Sequence, residues 1–332
     1  MIRRDSPSGR DLMPHSSRGV QIMPCKSFIA ICVFIASAGS SQAQGGYLKF
    51  ERSIGLSEPD IIEMEAQTPS ILKGAPPSSA AEKSMNAEDL RFDPKIVGGT
   101  PFPKITDHPW QVALIFGSGP EPIRVQFCGG SLVGPGWVIT AAHCVDNGTK
   151  PEDVDIVLGT AFYKNLGERM KVKQVIVHEN WNSETMENDV ALLELEGSAT
   201  QGKSIELVSA SYAIDPGTKL RVTGWGALSE GGRGSEILMG ADIPAVSTEV
   251  CKAAESYGSR IKAGMICAGL RGGGLDSCQG DSGGPAVATT GEGKNVLAGI
   301  VSWGSGCARR LKYGIYTSVA VYRPWIDGKM KP

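Results

Sequence analysis

The sequence predicts an all-β fold, on three observations. Glycine is heavily used, at 43 of 332 residues, yet without a Gly-X-Y period, so it marks turns rather than collagen. Apolar residues fall in short β-branched runs separated by turn residues. Only one stretch, near Tyr322–Lys329, reads as a helix. Short strands at this spacing suggest barrels or a sandwich. With 41% hydrophobic residues the chain can bury one large or two ordinary cores. The net charge of −2 leaves no electrostatic footprint for nucleic acid. No apolar run reaches the roughly 18 residues of a membrane span, so no span is expected.

In chain order, residues 1–43 read as a targeting leader. The apolar stretch Ser27–Ala38 follows basic residues, and small residues at Ser41-Gln42-Ala43 offer a cleavage point before Gln44. Met1 and Met23 both serve as candidate starts, the second giving the more typical signal. Residues 44–95 carry 6 basic and 9 acidic residues, no cysteine, and a Pro/Ser/Ala-rich patch over 68–84. Such composition buries too little apolar surface to offset chain entropy, so a largely disordered pro-segment is expected. Residues 96–332 hold 36 of the 43 glycines. Strands are expected at Gln111–Phe116, Val154–Leu158, Val172–Val177, Val190–Leu195, Leu220–Trp225 and Val296–Trp303.

Three motifs carry chemistry. Thr140-Ala141-Ala142-His143-Cys144 follows the apolar run Trp137–Ile139. Glu187-Asn188-Asp189 opens an apolar strand. Ser282 sits in Asp276-Ser277-Cys278-Gln279-Gly280-Asp281-Ser282-Gly283-Gly284-Pro285. A hydroxyl nucleophile needs a base for its proton, and the base needs an acid to fix its tautomer and stabilise its cation. His143, Asp189 and Ser282 supply those types. Glycines around Ser282 permit a tight turn that aims backbone N–H groups at one spot, with Gly280 and Ser282 as the expected oxyanion donors. His108 and His178 read as structural, and Asp153, Asp155 and Asp242 as surface or turn acids.

These motifs, with Ile96-Val97-Gly98-Gly99, Gly224-Trp225-Gly226 and Ser302-Trp303-Gly304 in family order, resemble the trypsin-like (chymotrypsin-fold) serine proteases. The resemblance covers residues 96–332. It implies two six-stranded antiparallel β-barrels with a short C-terminal helix, the first over about 96–205 and the second over about 206–332. It implies a secreted zymogen hydrolysing peptide bonds after Arg or Lys. Asp276 then floors the specificity pocket, helped by Ser277, with Gly304 and Gly314 as open walls. Substrate backbone pairs with Ser302, Trp303 and Gly304 as an added strand. Cleavage after Lys95 frees the Ile96 amine to pair with Asp281, and Lys95 suits the enzyme's own inferred specificity. The resemblance also selects the disulfides Cys128–Cys144, Cys251–Cys267 and Cys278–Cys307 from the 15 pairings that six cysteines allow.

No cofactor or metal is expected. The segment after Leu158-Gly159 lacks the acids of the family's calcium loop, so calcium is not anticipated, whereas the resemblance implies that Tyr313 before Gly314 is compatible with a sodium site. Expected partners are protein or peptide substrates with Arg or Lys at the cut bond, and protein inhibitors, for a monomer that is extracellular, or periplasmic in a bacterium. A catalytically silent binding protein on the same fold is the alternative of another class.

Overall fold

The computed structural model describes residues 97–117, 124–164 and 166–330. The expected leader and pro-segment, together with Ile96, therefore lie outside the described residues. The strands are β1 (Thr100–Pro101), β2 (Gln111–Phe116), β3 (Gln126–Gly134), β4 (Trp137–Thr140), β5 (Val154–Leu158), β6 (Glu168–Val177) and β7 (Ala191–Leu195). They continue as β8 (Glu206–Leu207), β9 (Lys219–Gly224), β10 (Met239–Val246), β11 (Met265–Ala268), β12 (Pro285–Thr289), β13 (Asn295–Trp303) and β14 (Gly314–Ser318). Among the described residues two α-helices accompany them, α1 (Thr248–Cys251) and α2 (Val319–Lys329).

The strands form two six-stranded antiparallel barrels. The first closes in the order β2-β3-β4-β7-β6-β5. The second runs β10-β11-β14-β13-β12-β9 and closes through β9 and β10, with Leu220 opposite Ile243. Strand β1 adds to β10, and β8 adds to β13 in parallel.

The apolar runs become intelligible from the packing. In β2, Val112 and Leu114 face the first barrel's interior, while Ala113 and Ile115 face Trp225 and Leu238 of the second barrel. In β7, Ala191 and Leu193 point inward and Leu192 joins the larger cluster built on Leu220, Ile243 and Leu297. Strands buried on both faces lose the polar alternation of half-exposed ones. That is why Gln111–Phe116 and the run at 190–195 stand out in the sequence.

Other strands were not legible. Strand β3 contains Gly129, Gly130 and Gly134, β10 contains Gly240 and Pro244, and β12 begins at Pro285. Glycine and proline argue locally for turns; here pairing with β2, β9 and β13 overrides them. Asp155 also departs from expectation. It is fully buried in β5, where Arg169 Nε (2.7 Å) and Lys171 Nζ (2.8 Å) reach it from β6. The cross-strand register, Asp155 opposite Lys171, makes it a structural ion pair rather than a surface acid.

Candidate active site

A short 3₁₀ turn (Ala142–Cys144) immediately after β4 presents His143, and Cys144 of that turn is bonded to Cys128 of β3. Asp189 lies two residues before β7, fully buried. His143 Nδ1 is 2.8 Å from Asp189 Oδ2, and the His143 backbone N–H donates to Oδ1 at 2.9 Å. The second barrel also holds this acid: Ser302 Oγ donates to Oδ2, and Thr317 Oγ1 donates to its carbonyl at 2.8 Å. Burial works against the charged imidazole, but the hydrogen bond and charge of Asp189, with Asp146 behind, hold its pKa above the ordinary value.

Ser282 precedes β12, and its carbonyl accepts from Gly129 N of β3 at 2.7 Å. His143 and Ser282 line one cavity of about 300 Å³. No hydrogen bond joins their side chains among the described residues; such contacts often tighten only with substrate bound.

The peptide planes around Ser282 are set by their carbonyls. Gln279 O accepts from Ala227 N (2.6 Å) and Asp281 O from Gly284 N (2.9 Å). In a trans peptide the N–H points opposite the C=O, so the N–H groups of Gly280 and Ser282 turn the other way, with no intramolecular acceptor among the described residues. Gly280 makes this turn at φ +93°, which favours glycine. Gln126 Nε2 donates to Gly280 O at 2.6 Å and braces the turn from β3, 154 positions away in sequence. No sequence signal marked that residue.

Asp276 lines the same cavity and is 3% exposed. Its Oδ2 accepts from Ala308 N at 3.1 Å, whereas Oδ1 is buried without a partner among the described residues. Burial pushes its pKa up to about 7, against the pull of the Ala308 and Ser277 hydrogen bonds. Gly314 is required beside it: a Cβ there would stand 2.6 Å from Asp276 Oδ1. Ser277, Trp303 and Gly304 line the same space, and the Cys278–Cys307 bridge joins two of its lining segments. Met186, which sequence reasoning did not single out, lines the cavity too.

Asp281, buried completely, accepts from Gly226 N (2.8 Å) and Cys278 N (2.9 Å) and meets no cation among the described residues. Burial raises its pKa to about 6 despite those two bonds. The Gly-Trp-Gly motif makes its room, since a Cβ at Gly226 would lie 2.6 Å from its carboxyl carbon. Val97 forms a β-bridge with Asp276, so the chain immediately after Ile96 runs beside this loop. Lys95 and Ile96 are outside the described residues. Disulfides Cys128–Cys144, Cys251–Cys267 and Cys278–Cys307 are all formed.

A cluster of three side chains with metal-ligating atoms, Cys128, His143 and Cys144, has both sulfurs committed to a disulfide. Tyr313 is buried and its carbonyl accepts from Tyr257 Oη at 2.8 Å. No helix among the described residues is long and apolar enough to cross a membrane.

The family model described as Trypsin matches residues 96–326. The chain belongs to the trypsin family. Among curated relatives, transmembrane protease serine 11G of Mus musculus is 36% identical over 82% of this chain and 65% of its own length. Coagulation factor XII of Sus scrofa is 41% identical over 66% of this chain and 37% of its own length. Trypsin of Saccharopolyspora erythraea is 42% identical over 68% of this chain and 94% of its own length. This chain thus spans under two thirds of the first two relatives and nearly all of the third.

Proposed function

We propose that the chain is a secreted trypsin-like serine endopeptidase, made as a zymogen and activated by cleavage after Lys95, that hydrolyses peptide bonds following Arg or Lys. The observation that carries this reading is the buried, half-unpartnered Asp276 in the same cavity as His143 and Ser282. A buried carboxylate lacking a cation is costly, so a guanidinium or ammonium entering the cavity is favoured and an apolar side chain is not.

In this mechanism Ser282 Oγ attacks the scissile carbonyl as His143 Nε2 takes its proton. Asp189, accepting at Nδ1–H, stabilises the resulting imidazolium. The developing oxyanion is met by the N–H groups of Gly280 and Ser282. His143 then protonates the leaving amine, and water, deprotonated by the same ring, releases the acyl group. The chemistry needs no cofactor. Arg124, donating to the carbonyls of Tyr163 and Leu166, supports a reading in which the loop after Leu158-Gly159 holds no calcium.

Activation follows from Asp281. The Ile96 amine freed by the cut supplies the cation this buried carboxylate lacks, and Val97 beside Asp276 supports that route. Profiling the full chain, cut after Lys95, on a peptide library tests the proposal. Products should end in Arg or Lys, and Ser282→Ala should lower kcat by roughly 10⁴-fold or more. Near-equal turnover of arginine and leucine esters would sink the specificity; absence of turnover in the unmodified cut protein would favour the silent binding protein.

A further inference from the structure

Past Val301 the cleft side of β13 is a strand edge that no described strand pairs with. Strand β12 pairs with β13 only up to Ile300, and Val301 exchanges hydrogen bonds with Gly283 and Gly284. Trp303 is paired on its other side, with Ile315 of β14. An extended peptide can add to such an edge. Only alternate residues of an added strand turn their N–H and C=O toward it. If the residue entering the Asp276 cavity is one of these, the residue two before it is the next. The residue between them directs its N–H away, which is where an edge strand tolerates proline.

At the outer end of this edge the wall is the Trp303 indole, and the Arg260 guanidinium lies over its ring, 4.5 Å from the centroid. Arg260 is held there from behind. Its guanidinium is 6.0 Å from the Tyr257 ring, which meets Trp303 edge-on at 5.0 Å. Tyr257 is itself fixed, donating to Tyr313 O and accepting from Ser305 N. Arg260 is exposed and no carboxylate pairs with it among the described residues. A second cation, Lys312 Nζ, stands 5.3 Å from the Tyr257 ring.

We propose that Arg260 is a specificity residue, selecting an acidic side chain two positions before the cleaved Lys or Arg, and that it reads residues 92–95 of a second copy of this chain. That stretch is Phe92-Asp93-Pro94-Lys95. Lys95 enters the cavity to Asp276. Pro94 takes the position whose N–H is not needed and faces Met186 and His143. Asp93 meets the Arg260 guanidinium, and Phe92 reaches the Trp303 wall. Hydrolysis then breaks the Lys95–Ile96 C–N bond with one water, leaving a carboxylate on Lys95 and a protonated amine on Ile96. This inference rests on the proposed Arg/Lys specificity and adds to it a charge preference and a first substrate.

The test uses the full chain, cut after Lys95, at low ionic strength, on the anilides of Phe-Asp-Pro-Lys, Phe-Asn-Pro-Lys and Phe-Lys-Pro-Lys. The kcat/KM order should be Asp, Asn, Lys, with steps of about three- to five-fold, the size of an exposed charge pair, shrinking as salt is added. Arg260→Glu should reverse the order. A reversal compares each enzyme with itself, so partial misfolding cannot imitate it. In the matching experiment the substrate is full-length Ser282→Ala chain, with Asp93 kept or changed to Lys. The unmodified enzyme should cut the Asp93 chain faster, and Arg260→Glu the Asp93→Lys chain. Equal rates on all three peptides, or an order unchanged by Arg260→Glu, would overturn the inference while leaving the Arg/Lys reading intact. Failure to cut any of these lysine peptides would remove both.

Discussion

At the scale of the residue, the decisive group is a carboxylate with one oxygen unused. Asp276 Oδ1 has no partner among the described residues, and burial lifts the group's pKa to about 7. A cation in the cavity requires the ionised form, so binding drives the proton off and lowers that pKa. The affinity of a small arylamidinium should therefore rise about tenfold per pH unit below about 7 and level off above it. Titration calorimetry across that range, in buffers of different ionisation enthalpy, would see the released proton; a flat profile would show that Asp276 is not the partner. Asp276→Asn should abolish the pH dependence and weaken binding by about 100-fold or more, since a buried charge is left alone.

At the scale of the element, short turns present the proposed catalytic residues, and disulfides lie beside them. The Ser282 turn is anchored to β3 through Gly129 and Gln126, and to β13 through Val301. Two segments that line the cavity are joined through Cys278–Cys307. Replacing both of these cysteines by alanine should cost about 2–4 kcal/mol, read as a fall in Tm. It should also raise KM for lysine peptides more than it lowers kcat, because the bridge shapes the cavity rather than the His143–Asp189 pair. Equal damage to kcat would place the bridge in the catalytic geometry instead. This scale also shows how far local pattern reaches. Strands β2 and β5 follow from their apolar runs to the residue, whereas β3 and β12 hide behind glycine and proline that only cross-strand pairing overrides.

At the scale of the whole molecule, the site belongs to neither barrel alone. Asp189 leaves the first barrel, yet Ser302 and Thr317 of the second hold it. The buried Asp281 connects the site to the far end of the chain by way of the proposed Ile96 amine. That amine titrates near 8 when free, and pairing raises the value. The stabilisation is thus complete at pH below the free value and is lost as pH climbs through the raised one. Cut protein should lose activity reversibly on that alkaline limb. Uncut Lys95→Gln chain should have a small fraction of the activity of cut protein; full activity in that variant would refute the account.

The sequence by itself determined the all-β class, the His143, Asp189 and Ser282 types in their motifs, and a carboxylate six residues before Ser282. These are local signals: apolar runs, turn glycines and short motifs are visible within a few positions. Only the tertiary structure decided that Asp155 is a buried ion-pair partner, that Gln126 braces Gly280, and that Arg260 lies over Trp303. It also left Asp276 Oδ1 and Asp281 without cations among the described residues. The reason is physical. Burial, and the pairing or want of pairing that it imposes, depend on groups far apart in the chain, brought together when two barrels close and pack face to face.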